Sequence, residues 1–109
     1  MVVMQADPGF DLPEIETVNE RTFPGYEGYT AFLSALSGET ENFNGQVVMA
    51  HGDPHFFKVD KLLAIPANLL KNFTRVETFG SPNIYWVKIS VDPRSRNVFS
   101  FEPMIVPDN

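Results

Sequence analysis

The stretch Gln46-Val47-Val48-Met49-Ala50-His51-Gly52-Asp53-Pro54-His55 decides how the rest of the chain is read. It opens as a short, β-branched and uninterrupted apolar run, the composition of a strand buried on both faces. Gly52 and Pro54 then disfavour a helix, so a loop is expected at the strand's carboxyl end. Both histidines of the protein fall here, on either side of Asp53. Pro54 biases Asp53 toward extended geometry, and in an extended segment positions 51, 53 and 55 point the same way. Two imidazoles and a carboxylate that converge are a ligand set for zinc, manganese or iron. The location agrees, because α/β sheets gather their ligands outside the carboxyl ends of strands. The alternative is architectural. Gly-Asp-Pro is ordinary turn vocabulary, and His51 would then be a buried, hydrogen-bonded and inert neighbour of the strand. Three ligands also fall short of a hydrolytic centre, which needs more groups or a second metal.

Upstream of this block, Tyr29, Phe32, Leu33 and Leu36 keep the i, i+3, i+4, i+7 spacing of one helical face, with Gly38 as the expected stop. Residues 8–28, rich in Gly, Glu and Pro, read as an irregular loop with a helical turn near 14–20. Val2-Val3-Met4 is a short apolar strand that ends at the turn residues Asp7-Pro8-Gly9. A buried strand with no lead-in is what a chain cut or initiated inside a larger domain would show. Downstream, Phe73–Phe79 is aromatic and β-branched and closes on Gly80-Ser81-Pro82. Residues 84–91 alternate, with Val87 and Ile89 on one face and Trp86 and Lys88 on the other. Asp92–Asn97 supplies turn residues and Val98–Phe101 alternates again, which together predict a hairpin. The fold class expected is α+β: a mixed, mostly antiparallel β-sheet with one main helix, in a single domain spanning residues 1–109.

Composition removes several function classes. Net charge is −6 with eight Lys and Arg, and these are scattered, so the clustered positive stripe that nucleic acid requires is missing. No apolar run approaches the length that spans a bilayer, and the amino terminus lacks a secretory pattern, so the cytoplasm is the expected compartment. For the same reason the glycosylation pattern Asn72-Phe73-Thr74 is set aside. There are no cysteines, which excludes disulfides, thiolate metal sites and a thiol nucleophile. No serine lies in a Gly-x-Ser-x-Gly elbow. Gln5, Asp7 and Asp60 are further candidates to support the ligands from outside. Asp7 follows a short strand that could end on the same sheet edge; Asp60 could equally be solvated or paired with Lys61.

Three blocks carry a resemblance: Gln46–Phe57, Asn72–Gly80 and Trp86–Phe101. In order and spacing they resemble the carboxyl-terminal part of calcineurin-like metallophosphoesterases of a bacterial subgroup. The amino-terminal Val2–Asp7 and Gly28–Phe32 are similar to the segment before it. The resemblance covers nearly all of this chain but only the carboxyl-terminal part of a typical family member. It implies a β-sandwich flanked by helices and a two-metal site that hydrolyses phosphoesters. The family closes on Gly-His-x-His, and Gly52-Asp53-Pro54-His55 stands at that position. His55 would thus be a metal ligand, Asp53 replaces the first histidine, and the pair would carry catalysis. His51 precedes the motif and has no assured family role. The family's Asp-x-His, Gly-Asp-x-x-Asp and Gly-Asn-His-Asp/Glu motifs do not occur in these residues. The expectation is therefore a partial domain, inactive alone and completed by another chain. The alternatives are a homo-oligomeric assembly module that kept the sheet and lost the chemistry, and a small mononuclear metalloenzyme using His51, Asp53 and His55. If the chain associates, Phe73–Phe79 or Phe99–Phe101 are the expected contacts.

Overall fold

The computed structural model describes residues 1–8, 28–52, 55–61, 64–65 and 68–108. Its centre is a four-stranded sheet in the order β1 (Val2–Met4), β2 (Val47–His51), β6 (Phe73–Glu77), β3 (Lys58–Asp60). β1, β2 and β6 run parallel, and β3 joins β6 antiparallel. Among the described residues one helix, α1 (Gly28–Glu41), lies between β1 and β2 in the chain. Two antiparallel ribbons complete the described residues: β4 (Ala64–Ile65) with β5 (Asn68–Leu69), and β7 (Trp86–Val91) with β8 (Phe99–Met104). The class is α+β with mixed sheets, as expected. The helical turn expected at 14–20 lies outside the described residues.

The unbroken apolar run of β2 has its explanation in the layers on either side. Successive strand residues point to opposite faces. Met49 packs on one face with Phe73, Leu70 and, from α1, Leu36 and Phe32. Val48 and Ala50 pack on the other with Val76 and with Val87, Ile89, Phe99 and Phe101 of the long ribbon. A strand covered by a helix on one side and a ribbon on the other has no solvent face, so it carries no polar alternation. The ribbon does have one, and its outward row of Trp86, Lys88 and Ser90 is exposed. Each core side chain of this size contributes about 1.5–3 kcal/mol by leaving water.

Three expectations are corrected. First, α1 runs past Gly38 to Glu41. A glycine inside a helix costs only about 1 kcal/mol, and the end is fixed elsewhere. The backbone N–H and side-chain amide of Asn42 both donate to Gly38 O, at 3.2 and 2.9 Å. The Asn72 amide nitrogen donates to Thr40 O, Phe43 O and Gly45 O at 2.9, 3.0 and 3.0 Å. Second, the strand beginning at Phe73 ends at Glu77, because Phe79 turns away to stack on Phe57, with centroids 5.5 Å apart. Third, the strand of Phe73 is not an outer surface. β6 lies between β2 and β3, Phe73 is fully buried, and Phe99 and Phe101 pack against the sheet. Among the described residues no helix is long and apolar enough to cross a membrane.

Candidate functional site

Three parallel strands end side by side, and their ladder continues one residue further. The Gly52 N–H donates to Gln5 O at 2.9 Å, and the Thr78 N–H donates to His51 O at 2.9 Å. The Thr78 hydroxyl reaches the same carbonyl at 3.3 Å. Position 52 must be glycine for this closure, since a Cβ there would stand 2.9 Å from Gln5 O. Beyond these ends opens a cleft of about 360 Å³, whose lining includes Gln5, His51, Gly52, His55, Thr78 and Ser81. A crevice at the carboxyl ends of parallel strands is where open α/β sheets bind ligands.

His51 belongs to β2 as its last residue, rather than to the loop after it, and is 1% exposed. Its Nδ1 lies 2.9 Å from Gly52 O. A carbonyl can only accept, so Nδ1 carries the hydrogen, and in the neutral ring the lone pair stands on Nε2. His55 is exposed and has φ of 70°, in the left-handed region. The expected alternation of 51, 53 and 55 along an extended segment therefore does not hold at its far end. Both histidines nevertheless border the same cleft, His55 exposed and His51 buried. Asp53, named as ligand and catalytic residue, lies outside the described residues together with Pro54. Among the described residues no cluster of three or more His, Asp or Glu is placed to hold a metal ion.

The supporting candidates separate. Gln5 lines the cleft. Asp7 is half-buried and is not among the lining residues. Asp60 belongs to a different device, because its carboxylate receives the Arg75 guanidinium in a two-pronged pair, Nε to Oδ1 at 3.0 Å and Nη2 to Oδ2. The expected partner, Lys61, instead donates to Lys71 O and to the Thr74 hydroxyl, at 3.2 and 2.8 Å. Trp86 stands on the outer face of its ribbon, 51% exposed, and is not among the lining residues.

Arg75 and Glu77 were not singled out by the sequence, yet both are buried. They follow Phe73 at two-residue steps on one side of β6, and register places Glu77 beside His51 and Arg75 beside Asp60. A polar, apolar, polar run within β6 was the available signal, but in a strand it usually denotes a wet face. In comparisons with known proteins, no family model, no curated protein and no solved structure matches this chain.

Proposed function

We propose that this chain is a metallophosphoesterase-like partial domain of the cytoplasm. It contributes His51, Asp53 and His55 to a divalent metal centre whose other ligands come from another chain, and it is inactive alone. The observation that carries this proposal is the pair of histidines bordering one cleft at the ends of β1, β2 and β6. The donor set fits in kind: imidazole suits zinc, manganese and iron. The Nδ1–H of His51 on Gly52 O is the sort of outer bond that fixes a ligating histidine's tautomer. It falls short in number, which is why completion from outside is part of the proposal. A bound ion of this class supplies Lewis acidity at a phosphoryl oxygen and an acidified water. The chain's own groups would bind and orient: Gln5, Thr78 and Ser81 are polar residues of the cleft wall.

The test is elemental analysis of the purified chain, with calorimetric titration of zinc and manganese into wild type and His55→Ala. About one ion per chain is expected, lost in the variant, with phosphoester hydrolysis absent until the completing chain is added. No metal and no binding heat would leave the cleft as architecture.

A second reading has its own observation. Ile84, Trp86, Val91 and Ile105 are exposed on or beside the long ribbon, and among the described residues β7 and β8 pair only with each other. This favours a homo-oligomeric assembly module. A chain that sediments as a monomer at high concentration removes it.

A further inference from the structure

The His55 imidazole lies directly against the backbone of Gly80. A Cβ built at position 80 would stand 2.3 Å from His55 Cδ2, 2.7 Å from Cγ and 3.0 Å from Nε2. Unbonded carbon atoms prefer roughly 3.5–4.0 Å, so no larger residue fits while the ring stays. The backbone of Gly80 makes no such demand through its φ, which lies outside the left-handed range. The ring alone requires glycine. His55 is turned to meet it: φ of 70° is uncommon for a residue with a side chain, although histidine tolerates it better than most.

The same two segments are fastened a second time. Phe57, two residues after His55, stacks on Phe79, next to Gly80, at 5.5 Å and 22°. Tyr85 meets Phe79 edge-on at 5.4 Å. Aromatic pairs in these geometries contribute about 0.5–1.5 kcal/mol beyond their buried area. The stack holds the segments in register, and the bare Cα at 80 leaves the one place where an imidazole from position 55 can rest. Both residues line the cleft.

We propose that Gly80 is a positioning residue: it seats the His55 ring on the cleft wall and so sets where that ligand stands. What the seated ring is for rests on the metal-centre proposal above; the seat itself does not. Any side chain at position 80 pushes the ring out, and removing the ring makes position 80 tolerant.

The test is a double-mutant cycle of wild type, Gly80→Ala, His55→Ala and the double variant, followed by denaturant and thermal unfolding and by zinc calorimetry. Gly80→Ala is expected to lower the unfolding midpoint by several degrees with His55 present and to leave it unchanged in the His55→Ala background. With the fold intact by circular dichroism, zinc affinity is expected to fall about tenfold or more, as far as in His55→Ala. Gly38→Ala, where a Cβ meets nothing within 4 Å, should leave zinc binding unchanged. Equal loss of stability in both backgrounds would overturn the seat, as would zinc binding by Gly80→Ala at wild-type strength. If the wild type binds no zinc, the metal centre falls and the stability cycle still decides the seat.

Discussion

The two faces of β2 and β6 are buried to similar depth by different means. Toward the ribbon, Val48, Ala50 and Val76 pack with Val87, Ile89, Phe99 and Phe101. Toward the helix, Met49 and Phe73 begin in the same way, but the face then changes to His51, Arg75 and Glu77, also buried. Charge in that position is expensive unless it is paired, and Arg75 has the Asp60 carboxylate. One face is thus filled by volume, and the other is apolar at its start and polar at its end, with Arg75 paired to Asp60. Of these polar residues His51, at the carboxyl end of β2, is the one that also lines the cleft.

Substitutions can break or sharpen this contrast. Phe73→Ala should have the largest effect, a loss of about 4 kcal/mol measured by urea unfolding, because it empties the apolar start of the helix face. Asp60→Ala should cost about 3 kcal/mol, since Arg75 then stays buried without that carboxylate. The double variant Arg75→Met/Asp60→Val should recover most of that loss. If it does not, the pair does more than balance charge, and the faces differ more deeply than burial suggests. Asn72→Ala should cost about 2 kcal/mol, because three carbonyls lose one donor. Gly38→Ala should raise stability by under about 1 kcal/mol, since a methyl there meets nothing. No change, or a loss, would mean that glycine is needed for the course of α1.

What the sequence made legible follows this division. The strand through Val47–Ala50, the helix through Phe32 and Leu36 and the hairpin of Val87 and Phe101 could be read because their apolar periods match what they bury. The end of α1 could not, since the Asn72 amide comes from 32 residues away in sequence to meet Thr40 O. Nor could the burial of Arg75 and Glu77, because alternation within a strand looks the same whether water or a paired charge covers the polar row. The candidate site was half legible. The order His51, Gly52, His55 marked the right edge of the sheet, but the direction of His55 depends on a positive φ and on Gly80, which no local pattern announces.

The Asn72 amide has one more consequence. Its nitrogen is the atom to which an oligosaccharide would be attached in Asn72-Phe73-Thr74, and it donates to three backbone carbonyls. Sugar and closure therefore compete for a single atom. On a secretory route, attachment would have to outrun folding, and a chain modified first could no longer tie the end of its helix to the start of its central strand. Once folded, the chain guards that asparagine by its own geometry.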